Sequence, residues 1–232
     1  MEHLSGAQVI SQVRSEIGAK TLLAFSGGKD SIGAYLALRE SFEVVPYYLF
    51  RIPNLEFVEE SLTNYEKFMG THIIRLPHEA LPRWLNNFVF QSPGNAAVIE
   101  AARLPEHEYS DCIDWACEIA KLDPKKMMAA VGTRAADNQY RYMQFKNYGA
   151  IDRNKRQYYP IWDWKKEKLL EVIKKSGVKL SIDYQLFGRS FDGLDYRFLA
   201  PIKKNFPRDW QKILEWFPLA EAEIYRYERG KL

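Results

Sequence analysis

The sequence lacks the features that mark several whole classes of protein. Among its 232 residues, no apolar run approaches the length of about 20 residues that spans a bilayer. Its first residues, Met1 to Ser5, have neither the basic start nor the apolar core of a signal peptide. We therefore expect no membrane partner and predict a cytoplasmic protein.

Cysteine is scarce, with Cys112 and Cys117 as the two thiols. Two thiols cannot form a four-cysteine zinc or iron–sulfur site by themselves, and the histidines show no metal-ligand spacing. On a predicted helix the two thiols point away from each other. The sequence thus predicts no zinc, no iron–sulfur cluster, and two reduced, partly buried cysteines.

A strong excess of one charge is also missing, since 33 basic residues stand against 30 acidic ones. This balance does not favour a nucleic-acid partner, although the net charge of +3 suits a phosphate-bearing ligand. Hydrophobic residues make up 47% of the chain and charged residues 27%, which is typical of a globular protein. The length suits one sizeable α/β domain with a small appendage.

Short apolar runs alternate with amphipathic stretches along most of the chain. This alternation predicts right-handed crossovers and an α/β fold with a doubly wound, Rossmann-like parallel sheet of about five strands and helices on both faces. The predicted strands are 21–25, 44–50, 72–76 and 127–131. The predicted helices are 5–18, 32–40, 56–69, 78–88, 110–121, 165–175 and one that begins near residue 134, with irregular structure over 89–109.

The pattern changes after Pro160, so we predict an α/β domain over 1–175 and a C-terminal extension over 176–232 packed on it. Residues 181–206 mix charge, aromatics and glycine. Two interpretations stay open for them, a loop over a ligand that binds a second substrate or a solvated loop with aromatics packed on the sheet. The helical stretch near 207–229 is apolar enough to cover a core or to join two subunits in a homodimer.

The segment Ser26-Gly27-Gly28-Lys29-Asp30-Ser31 joins the first predicted strand to a helix. Ligands of open parallel sheets bind beyond the carboxyl ends of the strands, where a helix N-terminus favours an anion. The two glycines leave room for phosphate oxygens, the two serines add hydroxyl donors, and Lys29 can neutralise phosphate charge. Asp30 can hold Mg²⁺ or cap the helix. The alternative is a corner that needs glycines for steric reasons alone.

A second candidate element, Gly132-Thr133-Arg134, follows the fourth predicted strand at the same sheet edge. Arg134 is placed there for a bidentate contact to phosphate or sulfate. The alternative is a surface arginine that pairs with Asp137. Arg141 lies seven residues further on, so we expect it to share a helix face with Arg134.

Residues 26–31 resemble the pyrophosphate loop (PP-loop) of the adenine nucleotide alpha-hydrolase-like superfamily, the PP-loop ATP pyrophosphatases. The nearest family is that of the phosphoadenylyl-sulfate (PAPS) reductases, which has short, often bacteriophage-encoded relatives. Val45–Phe50 is similar to the family's second strand, Gly132–Arg134 with Arg141 to its Gly-x-Arg element, and Pro160-Ile161-Trp162-Asp163-Trp164 to its Pro-Leu-x-Asp-Trp element. The resemblance covers roughly residues 18–175.

The resemblance implies ATP, or a sulfonucleotide such as PAPS or adenylyl sulfate, as ligand. Lys29, Asp30 and Arg134 would be catalytic, with Mg²⁺ held by Asp30. The residues implied to bind the nucleotide are Ser26, Gly27, Gly28, Lys29, Asp30, Ser31, Leu49, Phe50, Gly132, Thr133, Arg134 and Arg141. Asp163 is either a helix N-cap or a ligand contact, and the tryptophans beside it are packing residues.

The chain departs from the reductases at one decisive place. Their nucleophilic cysteine lies in a C-terminal Glu-Cys-Gly-Leu-His segment, whereas this sequence has Glu228-Arg229-Gly230-Lys231-Leu232. Three hypotheses follow. The first is an enzyme that cleaves ATP between the α and β phosphates to adenylate a second substrate. The second is a PAPS reductase that uses Cys112 or Cys117 as the thiolate. The third is a nucleotide-binding module without turnover.

Overall fold

The computed structural model describes residues 4–230, which contain twelve α-helices, one 3-10 helix and six β-strands. The strands are β1 (Lys20–Ala24), β2 (Glu43–Phe50), β3 (Ile74–Pro77), β4 (Ala129–Val131), β5 (Ile151–Asp152) and β6 (Gln157–Tyr158). The first helices are α1 (Gly6–Ile17), α2 (Lys29–Leu38), α3 (Glu56–Met69), α4 (Ala80–Asn86), α5 (Pro93–Ala102) and α6 (Tyr109–Ala120). The later ones are the 3-10 helix Ala135–Asp137, α7 (Gln139–Tyr148), α8 (Lys166–Ser176), α9 (Ile182–Phe187), α10 (Tyr196–Asn205), α11 (Pro207–Trp216) and α12 (Glu221–Arg229).

The strands form one sheet in the order β3-β2-β1-β4-β6-β5. β1 pairs in parallel with both β2 and β4, and β4 pairs in parallel with β6. The predicted α/β, Rossmann-like fold is confirmed. The sheet has one strand more than expected because β5 turns back antiparallel to β6, and each of these strands has only two residues, too few to leave a periodic pattern.

The central strands are buried because their residues are almost all apolar. Thr21, Leu22 and Leu23 of β1 are fully buried, as expected for a strand covered on both faces of a parallel sheet. One core cluster joins Leu22 and Tyr47 with the α6 residue Ile113. The end of β1, where the next loop begins, is therefore held in place by the core.

The chain divides into two compact units. Within the described residues, unit 1 comprises residues up to 49, 65–76 and 110–180, and unit 2 comprises 50–64, 77–109 and 181 onward. The C-terminal residues therefore share a unit with two segments from the first half of the chain. The predicted division into 1–175 and 176–232 stays a prediction.

The prediction of irregular structure over 89–109 is wrong, because α5 occupies Pro93–Ala102. Ser92 caps this helix by accepting a hydrogen bond from the Asn95 N–H at 3.3 Å. Pro93 stands at the first helical position, where a proline starts a helix instead of breaking one. The helix ends at Arg103, which has a left-handed φ of 48°.

The prediction that residues 181–206 form a loop is wrong, since α9 and α10 fill most of this range. Binding of a second substrate by these residues stays a prediction. Their phenylalanines form an aromatic core within unit 2. The ring centroid of Phe57 lies 5.9 Å from that of Phe191, and the rings of Phe191 and Phe198 are 5.5 Å apart. Asp183 accepts a hydrogen bond from the Phe191 N–H at 3.0 Å. Asp183 thus holds the segment between α9 and α10 in place.

The final apolar stretch is helical as predicted, but it consists of α11 and α12 with a break after Trp216. Asp209 of α11 is 1% exposed and accepts hydrogen bonds from the backbone N–H groups of Glu56 and Phe57. It thereby caps α3 within unit 2. Across residues 4–230, none of the helices is long and apolar enough to cross a membrane.

Candidate functional site

The predicted phosphate loop leaves the carboxyl end of β1. Ala24 ends β1 and pairs with Tyr47 of β2 on one side and Val131 of β4 on the other. Because the three strands are parallel, the segments that follow them lie at the same edge of the sheet. The sequence therefore brings Ser26–Ser31 and Gly132–Arg134 together, as predicted.

The loop is held by its own serines. The Ser31 hydroxyl donates to the Gly28 carbonyl at 2.9 Å, and the Ser26 hydroxyl lies 3.3 Å from that of Ser31. Gly27 has a φ of +73°, in the left-handed region that favours glycine. Gly28 is the N-cap of α2, and no side chain of the described residues caps that helix. The first N–H groups of a helix have no acceptor inside it, so this end is suited to an anion.

Tyr65 supports the loop from α3, and the sequence analysis missed it. Its hydroxyl donates to the Gly27 carbonyl at 3.1 Å, and its ring packs edge-on against Phe25 at 5.1 Å. Tyr65 falls within the predicted helix 56–69, but no local pattern connects it to the glycine loop. The contact depends on packing between distant segments.

Gly132 lets the segment after β4 approach the start of α2 closely. A Cβ atom at this position would lie 2.5 Å from the Asp30 carbonyl oxygen and 2.8 Å from the Ser31 nitrogen. These are backbone atoms that cannot move aside cheaply. The glycine is therefore required by close packing between the two predicted site elements.

Five charged side chains form a continuous chain of ion pairs, which we call the loop ion chain. Its members alternate in sign and comprise Lys29, Asp30, Arg134, Asp137 and Arg141. Lys29 Nζ lies 2.7 Å from Asp30 Oδ2, and Arg134 Nε lies 2.7 Å from Asp30 Oδ1. On the other side, Arg134 Nη2 lies 2.7 Å and Arg141 Nη1 lies 2.6 Å from the two oxygens of Asp137. Three cations thus share two carboxylates.

Arg134 is the buried centre of this chain. Its side chain is 5% exposed, and its Nη1 also donates to the Trp164 carbonyl at 3.4 Å. Arg134 does pair with Asp137, as one interpretation had it, but it is not a surface residue. Its bidentate contact to phosphate stays a prediction, and that contact would require exchange of existing ion pairs.

The prediction that Arg141 shares a helix face with Arg134 is wrong. Arg134 precedes the 3-10 helix, and Asn138 is extended, with a φ of −167°, before α7 begins. The Asn138 side chain caps α7 by accepting from the Arg141 N–H at 2.8 Å. The two arginines meet only through Asp137.

Two predicted helix caps are corrected. Gly28, not Asp30, is the N-cap of α2, and the Asp30 carboxylate is held by Lys29 and Arg134 instead. Asp163 does not cap α8, whose N-cap is Lys165. It accepts a hydrogen bond from the Gly6 N–H at 3.0 Å and so holds the first turn of α1.

The remaining residues that were predicted to bind the nucleotide lie at or just after the carboxyl ends of β2 and β4. Thr133 lies between Gly132 and Arg134 after β4, and Leu49 and Phe50 are the last two residues of β2. Leu49 packs against the unit 1 core. Because β1 and β2 are parallel neighbours, Leu49 lies at the sheet edge that carries the loop. Contacts of Leu49 and Phe50 with an adenine stay predictions.

Both cysteines are more deeply buried than predicted. Cys112 and Cys117 are 0% exposed and belong to the unit 1 core. Burial raises the pKa of the Cys117 thiol. A nucleophilic thiolate needs access and a lowered pKa, so neither residue has the surroundings of a reactive cysteine.

Mg²⁺ binding stays a prediction, and the residues of this site fit it only together with phosphate oxygens of a ligand. Over the described part of the chain, no group of three or more His, Cys, Asp or Glu side chains could hold a metal ion. Mg²⁺ in nucleotide enzymes is commonly held by one or two carboxylates together with substrate phosphates. Asp30 is such a carboxylate, and it is already placed beside the loop.

Comparison with protein families and with curated proteins adds no relative to this description. No protein-family model matches the chain, and a search of curated proteins found no match. The resemblance to the PP-loop superfamily stays a prediction, based on the loop and on the order of the elements around it.

Proposed function

We propose that this chain binds an adenine nucleotide at the Ser26–Ser31 loop and cleaves ATP between the α and β phosphates to adenylate a second substrate. In this proposal the chain is an enzyme similar to the PAPS reductase family and belongs to the PP-loop class. The observation that carries the proposal is the convergence of two separate segments at one sheet edge, where Gly132 contacts the first turn of α2.

The loop ion chain supports phosphate binding through its excess of positive charge. Lys29 is partly exposed and borders the uncapped start of α2. On nucleotide binding, its ammonium group would exchange Asp30 for a phosphate oxygen. Arg134 would keep Asp30 in place meanwhile, because it is itself fixed by Asp137 and the Trp164 carbonyl. The Leu49–Phe50 end of β2 would then border the adenine.

The proposed reaction needs no thiol. An oxygen of the second substrate attacks the α-phosphorus and forms a new P–O bond. The bond from the α-phosphorus to the bridging oxygen breaks, and its electron pair leaves with pyrophosphate. A carboxylate acceptor loses no proton, whereas a hydroxyl acceptor releases its proton to solvent. Lys29 and the backbone N–H groups of the loop stabilise the charge that grows on the phosphate oxygens.

Mg²⁺ would enter with ATP and neutralise part of the phosphate charge. Asp30 is the residue that would contact it, and Arg134 would orient that carboxylate. This protein residue supplies one ligand, so the ion's affinity would depend on the nucleotide.

The reductase alternative finds little support in the surroundings of the thiols. It requires Cys112 or Cys117 to attack the sulfur of a sulfonucleotide as a thiolate, yet both lie in the core. A serine replacement of both residues checks it directly through thiol-dependent sulfite release.

Pyrophosphate release from MgATP tests the proposed reaction. We expect release that depends on an added carboxylate or hydroxyl acceptor. Removal of one transition-state donor costs roughly 100-fold in rate, so Lys29→Met should lose at least about that factor. Lys155→Met is the matched control in unit 1, because Lys155 is 61% exposed and pairs only loosely with Asp152. ATP recovered intact after tight binding would favour the non-catalytic module, and binding of sulfonucleotides alone would overturn adenylation.

A further inference from the structure

Unit 2 contains a second cluster of basic and polar side chains, which we call the Arg51 cluster. It comprises Arg51, His78, His107 and Tyr109. Arg51 directly follows β2, and His78 directly follows β3. The His78 N–H donates to the Phe50 carbonyl at 2.8 Å and ties the two strand ends together. This backbone hydrogen bond therefore fixes the positions of Arg51 and His78 relative to each other.

His78 is buried, at 7% exposure, and three groups surround its ring. Its Nδ1 accepts a hydrogen bond from the Ala80 N–H at 2.9 Å. Its Nε2 lies 3.0 Å from the Tyr109 hydroxyl and 3.1 Å from Arg51 Nη2. Burial first, then the charges of Arg51, His107 and Arg83, lower the pKa of His78 to about 4. The ring is therefore neutral near pH 7.

A neutral imidazole has a single acceptor nitrogen. The Ala80 N–H occupies that acceptor at Nδ1, so the ring proton resides on Nε2. This N–H and the Arg51 guanidinium then face each other as two donors. If the ring proton resides on Nδ1 instead, Nε2 can accept from Arg51, but the Nδ1–H then faces the Ala80 N–H as a second donor. In either case the ring cannot accept from both N–H groups. The Tyr109 hydroxyl can accept from the His78 Nε2–H, so the group left facing another donor is the Arg51 guanidinium.

In the part of the chain that the structure describes, no carboxylate accepts from the Arg51 guanidinium either. Among residues 4–230, no acidic side chain lies within ion-pair distance of Arg51. Arg83, by contrast, pairs with Glu79 at 3.4 Å. His107, the fourth member of the cluster, donates from Nε2 to the Pro77 carbonyl at 3.0 Å and adds no negative charge. Partly buried arginines without a counter-ion are suited to carboxylate, sulfate or phosphate groups.

We propose that the Arg51 cluster is a binding site for a small oxyanion, separate from the nucleotide loop. An oxygen of the anion would accept from the Arg51 guanidinium, and the Tyr109 hydroxyl, which can itself accept from the His78 Nε2–H, would be a further donor. The proposal does not depend on nucleotide binding, because none of its residues belongs to the Ser26–Ser31 loop or to the loop ion chain. The anion is either a free ion or the charged group of a larger molecule.

Nuclear magnetic resonance of the histidine Cε1–H groups in the full chain tests this site. The chain has four histidines, and the His78→Gln variant identifies the signal of His78. Sulfate, phosphate and acetate would each be titrated at constant ionic strength near pH 7. We expect saturable movement of the His78 signal, and the anion that acts at the lowest concentration identifies the geometry that the site prefers. Movement of no signal by any of the three anions would overturn the proposal.

Variants separate this site from general charge effects. Arg51→Gln should weaken anion binding at least about tenfold, which corresponds to about 1.4 kcal/mol. Arg51→Lys keeps the positive charge but loses the paired N–H donors of the guanidinium, so it should weaken anion binding less than Arg51→Gln does. Arg208→Gln is the matched control in unit 2, since Arg208 is 85% exposed. Equal weakening by Arg208→Gln would overturn the proposal. Lys29→Met should leave the anion titration of the His78 signal unchanged. A failure of the proposed nucleotide site can therefore be distinguished from a failure of the Arg51 cluster.

Discussion

Arg134 and Arg51 both follow buried strands of the same sheet, yet their surroundings differ in one respect. Arg134 contacts two carboxylates, Asp30 and Asp137, and is 4% exposed. Arg51 contacts the neutral ring of His78 and has no acidic partner in the described part of the chain. An arginine that is ion-paired with carboxylates holds those side chains in place, whereas an arginine without a carboxylate partner can donate hydrogen bonds to a ligand. Under the two proposals, this difference makes Arg134 a positioning residue and Arg51 a binding residue.

Replacement of Arg134 should reduce stability strongly, whereas replacement of Arg51 should hardly change it. Arg134→Gln leaves two carboxylates without their central cation, and breaking such a buried pair costs about 3 kcal/mol. Arg51→Gln breaks no ion pair and should change the free energy of unfolding by less than about 0.5 kcal/mol in anion-free buffer. Urea unfolding of both variants measures this. Equal losses would contradict the comparison.

The close approach at Gly132 gives the next largest effect. Gly132→Ala inserts a Cβ atom against the Asp30 backbone, and overpacking of this kind costs about 1–3 kcal/mol. It should also weaken nucleotide binding, because it separates the two site segments. Gly94→Ala is the control, since its Cβ would meet no atom within 4 Å. Thermal unfolding with and without ATP distinguishes the two variants, and an unchanged Gly132→Ala protein would contradict the packing argument.

The buried His78 should make stability depend on pH. Its pKa is about 4 in the folded chain and rises to about 6.5 on unfolding. The unfolded state therefore binds more protons between these values, and stability is lost as pH falls from about 6.5 towards 4. The difference between about 6.5 and about 4 corresponds to at most about 3 kcal/mol. We expect a loss of about 1–3 kcal/mol from this group, which His78→Gln should remove. Denaturant unfolding at several pH values checks it, with the exposed His72→Gln as control.

A smaller effect is expected at Tyr65. Tyr65→Phe removes the hydrogen bond to the Gly27 carbonyl, at a cost of about 1 kcal/mol. Because the ring packing remains, the loss should appear mainly as faster amide exchange in the loop. Tyr140→Phe, at an 81% exposed position, should change nothing. If both variants exchange alike, Tyr65 does not hold the loop.

The local patterns of the sequence predicted the sheet and the position of the loop. Helix α3 has the predicted bounds, and β1 differs by one residue at each end. The apolar run before the glycines determines both features, since a strand buried on two faces must be apolar throughout. The order of elements then determines the sheet edge at which Gly132 and Arg134 meet the loop.

Other features depend on contacts between distant residues and could not be predicted in this way. Residues 181–206 look like a loop because their polar residues are conspicuous, but Phe191 and Phe198 pack against Phe57. The loop ion chain also depends on tertiary placement, because Asp30 and Arg134 are far apart in sequence. The Arg51 cluster is missed for the same reason, since single histidines and arginines carry no pattern.

The affinity of the chain for MgATP tests the central claim most directly. Isothermal titration calorimetry would compare the wild-type chain with Lys29→Met and with Lys155→Met. We expect micromolar or tighter binding for the wild type and the Lys155 variant, and a dissociation constant at least about tenfold higher for Lys29→Met, a loss of about 1.4 kcal/mol. Equal affinity of all three proteins, or no binding by the wild type, would contradict nucleotide binding at the Ser26–Ser31 loop.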